Sequence, residues 1–214
     1  GSVQVDMYDP DAAEQVATYA ENPLVKVLKL EISEEYGWTG IYPKLQVCDS
    51  PEMQAIWEVV RDKDLRIVYD IGGVGHRQLD QFEKLSAKMK NTQVIIEHFG
   101  GMNMDLFGVP WAMNRFDELI SLAKRDNIYL GLTAVSCMLA DKKTGYDIAW
   151  EAVKRAASVI GYSKLIWGSD IPGTLRIYSY DELIEWIEKA PFISEAEKDL
   201  IFWKNGMAFF GENE

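Results

Sequence analysis

A parallel α/β fold is predicted by two features of this 214-residue sequence: six short β-rich runs, and a stretch of helical periodicity after each. The runs are nearly continuous in apolar residues, which marks strands buried on both faces. Strand–helix alternation of this kind builds a parallel sheet under helical cover, either a barrel or a doubly wound sheet. The chain is 48% hydrophobic with seven Trp, ten Tyr and eight Phe, enough for one large core, so residues 1–214 read as a single domain.

In chain order, VQVDMY (3–8) precedes DPDAAEQVATYAEN (9–22), where Asp9 or Asp11 caps a helix opening at Pro10. VKVLKLEI (25–32) is followed by a loop (33–49) and by PEMQAIWEVVRDKD (51–64), with Asp49 or Ser50 as cap and Pro51 in the first turn. LRIVYDI (65–71) leads through GGVGHRQ (72–78) into LDQFEKLSAKMKN (79–91). TQVIIEHF (92–99) leads through a long loop to the helix NRFDELISLAKRDN (114–127). IYLGLTAV (128–135) precedes YDIAWEAVKRAASVIG (146–161). KLIWGSDI (164–171) precedes SYDELIEWIEKA (179–190) and a closing helix, SEAEKDLIFWKNGMAFFG (194–211).

Composition narrows the function. A net charge of −12 and an isoelectric point of about 4.7 leave no footprint for a phosphate backbone, so nucleic acid is excluded as a partner. No apolar stretch approaches the ~18 residues that span a bilayer, and no basic amphipathic helix suggests a membrane surface. Cys48 and Cys137 lie far apart without a CxxC pair, which fits free thiols in a reducing cytoplasm and makes neither a metal ligand nor a nucleophile. The chain opens Gly1-Ser2 without Met, as a tag remnant or a start inside a longer chain would.

In β/α folds the reactive groups sit just past the carboxyl ends of strands. That rule selects Asp6, Lys29 with Glu31, Asp70, Glu97 with His98, Thr133 and Asp170. His98 stands out because the chain has only two histidines and this one ends an apolar run. An imidazole there ligates metal or acts as general acid or base; the alternative is a core histidine bonded to backbone. Asp170 and Asp70 end apolar runs too, where a carboxylate binds a metal or takes a proton from water, or merely caps a turn. Lys29 and Glu31, two apart on a strand, face the same way and either orient an anionic substrate or close an ion pair. GGVGH (72–76) lacks GxGxxG spacing, so a dinucleotide cradle is disfavoured, and His76 is a loop residue or a substrate contact. Trp38, Tyr42 and Trp111 fall in long post-strand loops of the kind that form lids, or pack over the rim.

VIIEHFGG (94–101), GYSKLIWGSDIP (161–172) and KNGMAFFG (204–211) together resemble the amidohydrolase-related branch of the amidohydrolase superfamily. The resemblance covers essentially the whole chain and implies a (β/α)8 (TIM) barrel, entered at its third strand, with the first two β/α units outside this sequence. It implies that Asp170 is the last-strand Asp that ligates metal or activates water. His98 is then the sixth-strand His that contacts substrate or relays a proton. The branch's opening His-x-His metal pair has no match here, and Asp70 stands where a metal-binding His is expected. A divalent ion held by Asp170 and Asp70 is implied all the same: Zn²⁺, or with a carboxylate in place of imidazole the harder Mg²⁺ or Mn²⁺.

The implied activity is hydrolysis of a small polar or anionic organic acid derivative, a lactone or amide, with a small-molecule substrate as partner and Lys29, Glu31, His76 and Trp111 as substrate contacts. Non-oxidative decarboxylation on the same scaffold is the rival chemistry, and an inactive barrel used for binding is the rival from another class. Self-association as a homo-oligomer, common in this branch, is compatible with the aromatic loops.

Overall fold

The structure, a computed structural model, describes residues 1–31, 50–71, 78–141, 143 and 145–212. The predicted alternation is present: six strands alternate with helices, and the paired strands run parallel. The chain divides into two units, Gly1–Ile96 and Glu97–Glu214, each described by itself. Among the described residues no helix is long and apolar enough to cross a membrane.

The first unit holds β1 (Ser2–Val3), α1 (Ala12–Ala20), β2 (Val27–Glu31), α2 (Pro51–Asp62), β3 (Arg66–Asp70), α3 (Gln78–Lys88) and β4 (Val94–Ile96). Its four strands pair in sequence order, with Val3 beside Leu28, Glu31 beside Asp70 and Tyr69 beside Ile96. Leu28, Leu30, Ile67, Tyr69 and Ile96 are buried, as are Met53, Ile56, Trp57 and Val60 of α2. The Tyr69 and Phe82 rings stack 5.0 Å apart, locking α3 on the sheet. Ser50 caps α2, its Oγ accepting the Met53 N–H at 3.2 Å. Ahead of α1 the bonding falls to Asp9, whose carboxylate accepts from the Asp11 N–H and from Gln15 Nε2, each at 2.8 Å. The first strand is shorter than 3–8, because the chain turns at Asp6: its Oδ1 accepts the Tyr8 N–H at 3.0 Å.

The second unit holds α4 (Pro110–Leu122), β5 (Ile128–Gly131), α5 (Val135–Leu139), α6 (Asp147–Ile160), β6 (Leu165–Ile166), α7 (Tyr180–Glu188), α8 (Glu195–Asp199) and α9 (Asn205–Phe210), with one π turn, Leu200–Lys204, between the last two. Strand β6 is cut short because the Trp167 N–H leaves the sheet and donates to the Ile201 carbonyl at 2.9 Å. Asn205 Nδ2 donates to the Tyr162 and Leu165 carbonyls at 2.8 and 2.7 Å, fastening α9 to the start of β6. The helix predicted over 114–127 begins earlier, with Pro110 in its first turn, so Trp111 stands on α4 and not in a loop.

Candidate active site

Strand β4 stops at Ile96 because the next residues cannot extend it. His98, Phe99, Gly100 and Gly101 follow in succession with φ of 55°, 50°, 64° and 74°, a left-handed turn. Gly100 and Gly101 enter that region without steric penalty, whereas a residue with a Cβ gives up roughly 1–2 kcal/mol there. The turn is held against that cost by burial of Phe99, whose ring meets Phe116 edge-on at 5.1 Å, and by the Gly100 N–H donating to the Glu97 carbonyl at 2.9 Å. Strained backbone of this kind gathers where a side chain must be aimed.

The side chain so aimed is the half-buried His98 imidazole. Its Nδ1 lies 3.1 Å from the Thr133 carbonyl oxygen. A carbonyl only accepts, so Nδ1–H is the donor of this bond and the ring is held in one orientation. The backbone bond foreseen for a core histidine therefore exists, but on a ring that is only partly covered.

Thr133 joins a second strand end to the first. It follows β5 and precedes Ala134, another left-handed residue with φ 56°. Beside it runs Gly168, where an added Cβ would come within 3.0 Å of Thr133 Oγ1. Two residues later Asp170 is exposed and left-handed, with φ 55°. Its main chain is tied to the buried Thr174: Oγ1 of Thr174 lies 2.8 Å from the Ser169 carbonyl and 3.1 Å from that of Asp170. Cys137, on α5, lies within the field of Asp170: burial first, then the negative charge of Asp170, raise its thiol pKa against the lowering bond to Ser136. Tyr178 is raised by burial and then by the neighbouring Cys137, Asp141 and Glu182; its hydroxyl makes a long 3.5 Å contact with the Ala140 carbonyl.

The second unit thus brings His98, Thr133 and Gly168 together past strand ends, with Asp170 two residues beyond Gly168. Trp111 is in the same unit, 52% exposed on the first turn of α4. The first unit carries the other expected residues. Glu31 and Asp70 sit side by side in register at the ends of β2 and β3, with Lys29 opposite Val68 and on the same side of its strand as Glu31. Asp70 is buried, and Lys29 and Glu31 are partly exposed. His76, Trp38, Tyr42 and Cys48 lie outside the described residues. Thr174 and Tyr178 were not singled out by sequence, since nothing in their spacing distinguishes them from other loop hydroxyls.

Among the described residues no three His, Cys, Asp or Glu side chains form a group able to hold a metal ion. Asp70 belongs to the first unit and Asp170 to the second.

Parallel β/α folds place reactive groups just past the carboxyl ends of their strands, and His98 and Asp170 each stand past such an end. The chain belongs to the amidohydrolase family (Amidohydro_2), whose model matches residues 1–211. It is similar in fold to a zinc-bound amidohydrolase from Burkholderia multivorans, at 20% identity and TM-score 0.76, over 97% of this chain and 71% of that one. A protein from Pseudomonas putida described as a 2-pyrone-4,6-dicarboxylic acid hydrolase matches at 14% identity and TM-score 0.67, over 100% and 82% of the two chains. A dihydroxybenzoic acid decarboxylase from Polaromonas sp. JS666, with bound manganese and the inhibitor 2-nitroresorcinol, matches at 14% identity and TM-score 0.56, over 100% and 79%. No curated protein matches the chain.

Proposed function

We propose that the chain is a hydrolase of the amidohydrolase family that opens a small polar or anionic lactone or amide, on a (β/α)8 frame, with His98 as general base. The observation that supports this most is the bond from His98 Nδ1–H to the Thr133 carbonyl at 3.1 Å, which orients the imidazole at a strand end. Water gives a proton to Nε2 as its oxygen attacks the substrate carbonyl carbon. The tetrahedral intermediate collapses with cleavage of the ring C–O bond of a lactone, or the C–N bond of an amide. The imidazolium returns its proton to the leaving oxygen or nitrogen. Asp170, the exposed carboxylate past the end of β6, orients the attacking water.

The similarity in fold to a dihydroxybenzoic acid decarboxylase favours a second reading on the same residues. There His98, protonated, delivers its proton to the ring carbon from which CO₂ departs. Incubation with dihydrocoumarin, 2-pyrone-4,6-dicarboxylate and 2,6-dihydroxybenzoate, following both ring-opened acid and released CO₂, separates the two. Acid without CO₂ is the expected result. CO₂ from the benzoate selects the decarboxylase, and turnover of none of the three contradicts the hydrolase.

A further inference from the structure

We propose that Thr174 is the positioning residue of Asp170: its hydroxyl holds the chain in the left-handed turn that presents the carboxylate. The inference rests on the functional reading above for its catalytic consequence, but its structural content stands on its own geometry.

Asp170 has φ 55°, a conformation that asparagine and aspartate tolerate better than most residues yet which still needs surroundings to impose it. Burial does not supply them. Of residues 170–177, only Thr174 is buried, at 4% exposure, while Ile171, Leu175 and Ile177 stand about half exposed at 50%, 49% and 54%. A segment with so little covered surface is held by its bonds. Those bonds converge on one residue. The Thr174 hydroxyl is shared between the Ser169 and Asp170 carbonyls at 2.8 and 3.1 Å, a three-centre arrangement. The Thr174 N–H adds a third tie to the Asp170 carbonyl at 3.3 Å. Thr174 is anchored in turn, its carbonyl accepting the Ile177 and Tyr178 N–H groups at 2.9 and 3.1 Å, with Tyr178 itself buried. A buried anchor with an exposed carboxylate four residues before it is the arrangement of a residue that acts through another.

The test is Thr174→Val, which swaps the hydroxyl for a methyl at nearly constant volume, beside Thr174→Ser, which keeps the hydroxyl. Two readouts are taken: kcat and KM on dihydrocoumarin, and the carbon-13 shift of the Asp170 Cα, which reports its backbone conformation. Thr174→Val is expected to lower kcat by about 10- to 100-fold with KM little changed, and to move the Asp170 shift. Thr174→Ser is expected to retain both. Wild-type kcat and shift in Thr174→Val overturn the proposal, as does an equal loss in both variants, which would signal packing. If Thr174→Val does not fold, Thr174→Ser decides alone, because loss of its native shift overturns the proposal. If the wild type opens no lactone, the functional reading fails, and the Asp170 shift still decides whether Thr174 holds it.

Discussion

At Gly168 a hydrogen in place of a methyl sets how closely two strand ends approach. A Cβ there would meet Thr133 Oγ1 at 3.0 Å, and the carbonyl of the same threonine holds His98. Gly168→Ala is therefore expected to push Thr133 aside and tilt the imidazole. A loss of about tenfold in kcat/KM should result, with a destabilisation of about 1–3 kcal/mol from overpacking. Urea unfolding and steady-state kinetics check it, and adding Thr133→Ala should restore stability by removing the hydroxyl that is struck. At this scale the sequence was readable where chemistry is scarce: two histidines in 214 residues made His98 conspicuous. Thr174 and Tyr178 were not readable, because their importance comes from carbonyls and neighbours brought close only by folding.

Helix starts were legible where a cap is a local event, as at Ser50, and not at Pro110, where no side chain caps the helix. Ser179 and Ser194 each open a helix with a capping box, accepting from the Glu182 and Glu197 N–H groups while those glutamates bond back to the cap N–H. The box at Ser194 matters beyond its own five-residue helix, because the segment it starts ends in Asn205, which grips the Tyr162 and Leu165 carbonyls. Ser194→Ala is expected to cost about 1 kcal/mol in urea unfolding, while leaving kcat/KM unchanged. Strand ends were less legible. The run 92–99 reads as one strand, but the left-handed turn begun at His98 ends it at Ile96. The run 164–171 also reads as one strand, yet Trp167 takes its bond from Ile201 instead of a neighbouring strand. Apolar composition marks what is buried, and it does not mark where the ladder stops.

On the scale of the whole chain, apolar runs alternating with helical periodicity were sufficient for the parallel α/β class, and three short motifs were sufficient for the family that matches residues 1–211. The resemblance implies Asp70 and Asp170 as metal ligands, and among the described residues no group of three such side chains forms. Side-chain clustering of that sort depends on loop paths, and loop paths carry little periodic signal. The proposed chemistry centres on one imidazole oriented by a backbone carbonyl. The measurement that tests it most directly is lactone turnover by His98→Asn, set beside its urea unfolding curve. A loss in kcat of about 10²- to 10⁴-fold, the usual worth of a general base, is expected with folding retained. A folded His98→Asn protein that turns over lactone at the wild-type rate would contradict it.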